Sequence, residues 1–175
     1  GSDIEATRVA ANGYIEKAKV NLLLQSNSFS TTWATANASV TSGQSGYDGS
    51  SDAWLLEAPV TDSSSRVYQS VSIGSGVKSL SVYAKEGTTP YFAIEGGGSS
   101  GFYAYFNLST GTKGTSGGSV ISSKIESVGG GWHRVSVSGN PLSLSVINIL
   151  VTDANNSTSV TAGANIYIQD AQLNY

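Results

Sequence analysis

Tyrosine is the residue type in this chain that is best suited to contact a ligand. The chain has nine Tyr against four Phe and three Trp. Tyr83, Tyr91, Tyr103 and Tyr105 lie in stretches where apolar and polar residues alternate, and all four fall on the polar side. A tyrosine ring suits a surface that is apolar on one side and wet on the other. Because sugars present apolar C–H faces and polar edges, the pattern is compatible with carbohydrate binding. The same pattern is equally compatible with tyrosines that have no ligand and only cover an outer sheet face or an oligomer interface.

The same alternation predicts which other side chains share the outer face with these rings. Trp132 and Arg134 oppose Val135 in their strand, although Trp132 has the alternative of folding inward at the strand start. Charged and amide side chains would fix the orientation of a sugar, while the rings supply apolar contact. We predict one carbohydrate-binding sheet face that consists of Tyr83, Tyr91, Tyr103, Tyr105, Trp132, Arg134, Lys85, Glu95 and Asn107.

Catalytic machinery is sparse in the sequence. His133 is the only histidine, and it shares the parity of Val135 and Val137, which places it on the core side. A glycosidase needs two carboxylates facing each other across about 5 to 9 Å, and the twelve Asp and Glu residues form no evident pair. The stretch Gly111–Gly118 lacks the helix and the Gly-Lys-Ser/Thr ending of a phosphate loop. We predict that the domain is not an enzyme, and a hydrolase is the least favoured alternative.

Composition excludes several other classes. The 175 residues suffice for one domain with a real core. A net charge of −3 argues against nucleic-acid binding, which needs clustered Lys and Arg. The absence of Cys excludes disulfide scaffolds, cysteine-ligated zinc fingers and thiol catalysis. No stretch approaches the roughly 20 apolar residues of a membrane span, so we expect no membrane partner.

The elements that must position the tyrosines are strands. Val67–Ile73, Ser79–Lys85 and Phe102–Leu108 each alternate between apolar and polar residues, and glycine-rich breakers separate the strands. About ten strands at this spacing predict an all-β fold, a jelly-roll β-sandwich of two antiparallel sheets. The predicted core consists of Trp33, Trp54, Leu80, Val82, Phe92, Ile94, Phe106, Val135, Val137, Val146 and Ile168.

The N-terminal segment is set apart from this pattern. Gly1 and Ser2 look like a cloning remnant, and residues 1–20 are predicted to form an arm or hairpin that precedes a domain at residues 21–175. Asn12-Gly13 fits a two-residue hairpin turn, because both residues tolerate positive φ. A short helix that ends at Gly13 is the alternative.

Several short segments together resemble a known pattern. They are Ala6–Val9, Asn12–Glu16, Asn21–Phe29 followed by Trp33, Tyr68–Val71, Leu80–Lys85, Tyr105–Gly111 and Gly131–Val135. In this order they resemble phage tail- and head-fibre domains, which are similar to the jelly-roll carbohydrate-binding modules attached to glycan-degrading enzymes. The resemblance implies a non-catalytic sandwich with a sugar site on its concave sheet. It also implies a polysaccharide or cell-surface glycan as partner, and a virion or extracellular location.

The resemblance also implies a structural calcium ion. Asp170, in the last predicted strand, and Asn27 are its candidate ligands, since calcium prefers oxygen ligands, and such an ion would join the two chain ends. Many of these modules carry paired aspartates where this chain has Gln169-Asp170. Asp48 and Asp52 are further candidates, but they fit turn formers better.

Two functions therefore compete. The first is a glycan-binding module displayed on a phage particle or a secreted enzyme. The second is a structural or decoration domain of a phage tail or head fibre, which binds protein, forms a homo-oligomer or joins a parent fibre protein, and has no sugar site.

Overall fold

The computed structural model describes residues 20–175 and, near the amino terminus, the backbone of two short strands. This described part contains strands and turns and no helix. No helix among these residues could cross a membrane.

Most strands belong to two six-stranded antiparallel sheets. The front sheet has the order β11 (Thr112–Gly118), β10 (Phe102–Asn107), β9 (Tyr91–Gly97), β14 (Leu144–Val151), β7 (Arg66–Ile73) and β3 (Ala34–Ala36). The back sheet has the order β12 (Val120–Gly129), β13 (Trp132–Gly139), β8 (Lys78–Glu86), β16 (Asn165–Asn174), β5 (Ala53–Glu57) and β4 (Ser39–Gln44). Two small ladders pair β1 (Thr7–Val9) with β2 (Ile15–Lys17), and β6 (Asp62–Ser63) with β15 (Ser159–Val160). The predicted jelly-roll β-sandwich is confirmed.

One apolar core lies between the two sheets. All four phenylalanines of the chain are buried in it, and the alternation predicted for β8 and β10 holds along both strands. His133 is buried on the core side, as predicted. The predicted core residues are buried apart from Trp54, which is half-buried against the core, and Val146.

The prediction for Val146 is wrong. The ladder of β14 with β7 shifts register between Leu144 and Val146, which marks a β-bulge. A bulge adds one residue to a strand and reverses the sides of the residues that follow. The core is therefore filled by Leu144, Ile147 and Ile149, while Val146 lies opposite Gly97 on the outer face.

The N-terminal strands pair as expected of a hairpin. Val9 lies opposite Ile15, and Thr7 opposite Lys17. The Asn12-Gly13 turn lies outside the described residues, so the two-residue turn and the packing of the arm stay predictions.

The start of the domain is fastened to its last strand. The Asn21 side-chain oxygen accepts the backbone N–H of Leu173 at 3.0 Å, and the backbone N–H of Leu22 donates to the Leu173 carbonyl at 2.8 Å. The Asn21 amide donates to the Ala171 carbonyl at 3.2 Å. These bonds hold the two ends of the described domain together.

Two glycines let the sheets close over Phe102. A Cβ atom at Gly139, in the back sheet, would lie 2.5 Å from Cδ1 of Phe102, and one at Gly96, in the front sheet, would lie 2.9 Å from its Cζ. Phe102 is 1% exposed, so its ring fills the space that both glycines leave.

We therefore expect Gly139→Ala to destabilise the domain. Overpacking a filled core costs about 1–3 kcal/mol, and urea denaturation should show a loss of that size. Gly74→Ala is the matched control, because a Cβ there meets no atom within 4 Å, and it should change stability by less than about 0.5 kcal/mol. Equal effects of the two substitutions would contradict this packing.

Candidate functional site

The predicted sugar-binding residues divide between the two sheets. Tyr91, Glu95, Tyr103, Tyr105 and Asn107 belong to the front sheet, whereas Tyr83, Lys85, Trp132 and Arg134 belong to the back sheet. Both groups point away from the core, so they occupy opposite outer faces of the sandwich. The prediction of a single face is therefore wrong. The prediction failed because the chain crosses from the back sheet to the front sheet between β8 and β9. These two strands are consecutive in the chain but do not pair.

The rings on the back face cover one another. Tyr47 stacks on Tyr83, with ring centroids 3.7 Å apart and planes 7° apart, and meets Trp132 edge-on at 6.2 Å. Trp132 is only 3% exposed although it lies on the outer side of β13. One face of the Tyr83 ring is thus covered by Tyr47, and the Trp132 ring is almost completely buried.

Hydrogen bonds fix Tyr47 in this position. Its hydroxyl donates to Oδ2 of Asp170 at 2.9 Å, and its backbone N–H donates to Oε1 of Gln169 at 3.2 Å. Burial raises the pKa of Tyr47 well above its ordinary value, and the bond to Asp170 raises it further. The sequence indicated only a turn around Tyr47, and the turn is confirmed because Oδ1 of Asp48 accepts the backbone N–H of Ser50.

The charged residues of the back face adjoin its rings, since Arg134 lies opposite Tyr83 and Lys85 lies opposite Trp132 in the ladder of β13 with β8. Arg134 donates to the Ser81 hydroxyl at 3.3 Å and lies opposite Glu126 in the ladder. Lys85 lines a recess of about 250 Å³ with Gln44, Ser45 and Tyr167.

The front face brings two tyrosines and a carboxylate together. In the ladders, Tyr103 lies opposite Glu95, and Glu95 lies opposite Asn148. The rings of Tyr103 and Tyr105 meet edge-to-face, with centroids 6.0 Å apart and planes 82° apart. Tyr103 is half-buried, whereas Tyr105 is 8% exposed.

These residues surround a cavity of about 130 Å³, which is lined by Ala93, Glu95, Tyr103, Tyr105, Leu150, Asn156 and Thr158. Its floor is the sheet, and one wall is the segment that follows β14. This segment is fixed at both ends, because Asn155 exchanges hydrogen bonds of 2.8 and 3.0 Å with Thr115 and the Thr158 carbonyl accepts the backbone N–H of Ser64. The wall therefore crosses the face from β11 to the start of β7.

Glu95 sets the electrostatics of the cavity. It is the one carboxylate among the lining residues, which include no Lys, Arg or His, and its Oε2 accepts the Asn148 amide N–H at 3.0 Å. The Oδ1 atom of Asn148 is buried and has no partner among the described residues. Burial raises the pKa of Tyr105, and the charge of Glu95 raises it further.

Two predicted residues of the front sheet lie outside the cavity. The side-chain oxygen of Asn107 accepts the backbone N–H groups of Ser109 and Thr110, so it shapes the turn after β10. Tyr91 lies opposite Asn107 in the ladder and is not among the lining residues.

The sequence reasoning missed five contributors, namely Ala93, Leu150, Asn156, Thr158 and the buried Asn148. Asn148 had a signal, because it is the one polar residue within the apolar run from Val146 to Val151. Asn156 and Thr158 lie in a loop, where alternation gives no information.

The proposed calcium ligands are joined by direct hydrogen bonds. Oδ1 of Asn27 accepts the backbone N–H of Asp170 at 3.1 Å, and the Asn27 amide donates to the Asp52 carbonyl at 2.9 Å. No group of three or more His, Cys, Asp or Glu residues lies together in the described part of the chain. Calcium takes six to eight oxygen ligands, which include backbone and amide carbonyls as well as carboxylates. Calcium at Asp170 and Asn27 stays a prediction.

Solved structures are similar to this chain at low sequence identity. The enzymatically active domain of bacteriophage CBA120 tailspike protein 4 aligns over 88% of this chain and 21% of that chain, with a TM-score of 0.50 and 15% identity. TmCBM61, solved with β-1,4-galactotriose, aligns over 88% of this chain and 97% of that chain, with a TM-score of 0.49 and 14% identity. The CBM22-1–GH10 modules of Clostridium thermocellum xylanase 10B, solved with xylohexaose, align over 90% of this chain and 28% of that chain, with a TM-score of 0.49 and 13% identity.

At 15% identity the tailspike comparison shows a shared fold and nothing of the ligand. The chain spans about a fifth of that tailspike chain and 28% of the xylanase chain. No protein-family model and no curated protein matches the chain.

The Tyr47–Asp170 bond predicts a pH-dependent contribution to stability. The pKa of Tyr47 is raised in the folded state from 10.0, so the neutral hydroxyl contributes fully below pH 10.0 and its contribution is lost as the pH rises toward the folded-state pKa. Tyr47→Phe should cost about 1 kcal/mol at neutral pH. The stability gap between the two proteins should narrow above pH 10.0, measured by urea denaturation across the pH series. A gap that stays constant would show that the hydroxyl does not titrate in this way.

Proposed function

We propose that this domain is a non-catalytic carbohydrate-binding module whose site is the front-face cavity. The observation that carries the proposal is the meeting of the Tyr103 and Tyr105 rings with Glu95 in one recess. An aromatic wall, an apolar floor and a few convergent polar groups are the usual composition of a small-ligand site. The sequence resemblance to jelly-roll carbohydrate-binding modules supports the same proposal.

A binding role is favoured over hydrolysis. Hydrolysis of a glycosidic bond by the usual route needs two carboxyl groups on either side of the bond. Glu95 is the one carboxylate among the residues that line the cavity. We therefore assign Glu95 to hydrogen bonding with sugar hydroxyls.

The proposal places the domain outside the cell, on a secreted enzyme or a phage particle, with a polysaccharide or cell-surface glycan as its partner. The phage setting is supported by the sequence resemblance and by the fold shared with the tailspike domain. The alternative is a structural domain of a tail or head fibre, for which the front-face tyrosines would be a contact surface for protein.

A glycan array followed by calorimetry on the tightest hit tests the proposal. Tyr103→Ala removes a half-exposed ring, and it should weaken binding roughly ten- to a hundredfold, as expected when about 1–3 kcal/mol of ring contact is lost. The melting temperature should change little. Tyr105→Phe is preferred to Tyr105→Ala, because truncating a ring that is 8% exposed would also leave a hole in the packing.

Tyr91→Ala is the matched control. It removes the same residue type from the same outer face but outside the cavity lining, so glycan affinity should be unchanged. An array without hits, together with a defined oligomer in light scattering, would favour the fibre alternative. Equal losses from Tyr91→Ala and Tyr103→Ala would place the site elsewhere.

A further inference from the structure

The charge inside the front-face cavity restricts which sugar it accepts. Glu95 gives the lining a single negative charge, and no Lys or Arg is among the lining residues. Within the described chain Glu95 forms no salt bridge, and its side-chain partner is the neutral amide of Asn148. A half-buried carboxylate without a counter-ion is poorly compensated, because the surrounding dielectric constant is lower than that of water.

The aromatic walls add to this negative potential. The face of a tyrosine ring is electron-rich and attracts a cation within about 6 Å of its centroid. Tyr103 and Tyr105 stand nearly perpendicular to each other with centroids 6.0 Å apart, so two sides of the recess are aromatic. Burial raises the pKa of Tyr105, and the charge of the Glu95 carboxylate raises it further.

Arg66, a cationic side chain of the front sheet, is engaged elsewhere. Arg66 lies opposite Leu150 in the ladder, but its guanidinium carbon is 5.4 Å from the centre of the Tyr68 ring. Its Nη1 also donates to the Ser64 carbonyl at 3.0 Å. Arg66 is thus held by Tyr68 and Ser64 and forms no ion pair with Glu95.

We propose that the front-face cavity selects a sugar that carries a protonated amine, an inference that rests on the proposed function. The ammonium group would pair with the Glu95 carboxylate and lie against the rings of Tyr103 and Tyr105. An ammonium group donates three hydrogen bonds, and the side-chain oxygens of Asn156 and Thr158 at the cavity wall are further acceptors. Uronic and sulfated sugars are disfavoured, since their charge repels that of Glu95.

Three matched trisaccharides test this selectivity. The β-1,4-linked trimers of glucosamine, N-acetylglucosamine and glucose share one backbone and differ only in an amine, an acetamide or a hydroxyl beside the anomeric carbon. At about pH 5.5 most of the sugar amine is protonated and a carboxylate is ionised. Calorimetry should show that the glucosamine trimer binds about tenfold more tightly than the glucose trimer, the factor expected of a partly desolvated cation–π and ion-pair contact.

The variants isolate Glu95 as the cause. Glu95→Gln should bring the ratio of the two affinities close to one. Glu86→Gln removes the same charge from an exposed position at the end of β8, in the back sheet, and it should leave the ratio at the wild-type value. This control separates a local contact from the general attraction of a cation to an acidic protein.

Several outcomes would contradict the proposed preference for an amino sugar. Equal or tighter binding of the glucose trimer by the wild type, or a preference that survives Glu95→Gln, would overturn the amine selectivity. Absence of binding by all three trimers would overturn it as well. The proposed function would still stand in these cases if the array finds a glycan whose binding is weakened by Tyr103→Ala, and it would fall if the array finds none.

Discussion

The two six-stranded sheets share one apolar core, and this core determines which side of each strand faces water. A strand that buries one face must turn every second side chain outward. The aromatic residues follow this rule closely. All four phenylalanines are in the core, whereas among the described tyrosines Tyr105 alone is buried. The hydroxyl group keeps tyrosine on the wet side of each sheet, and the outer faces therefore acquire their aromatic residues as a consequence of core packing.

The two outer faces then differ in what covers them. On the back face, a turn brings Tyr47 down onto Tyr83, and the bond to Asp170 holds it there. On the front face, the segment after β14 is fixed at Thr115 and at Ser64, so it stands as a wall beside the rings. The turn at Tyr47 covers the ring of Tyr83, whereas the segment after β14 leaves a recess beside Tyr103 with a carboxylate inside it. This difference is the reason why we propose the front face as the binding face.

The sequence predicted the fold better than the site. Alternation along Phe102–Leu108 was sufficient to place each side chain of β10 inside or outside, because the core imposes that period. Val146 was misplaced because a β-bulge breaks the period without any mark in the residue types. The prediction of a single binding face failed for a different reason. Alternation tells which side of a strand a residue occupies, but it does not tell which of the two sheets the strand joins. Tyr47, Asn156 and Thr158 reach their positions through loops, where tertiary contacts and not local pattern decide the conformation.

Nuclear magnetic resonance can show which outer face of the sandwich contacts the glycan. The isotope-labelled domain is titrated with the tightest array hit while its amide chemical shifts are followed. If the front face binds the glycan, the largest shifts cluster at Glu95, Tyr103, Asn148 and the segment 156–158. Shifts concentrated around Tyr47, Tyr83 and Trp132 would contradict it and would place the site on the back sheet.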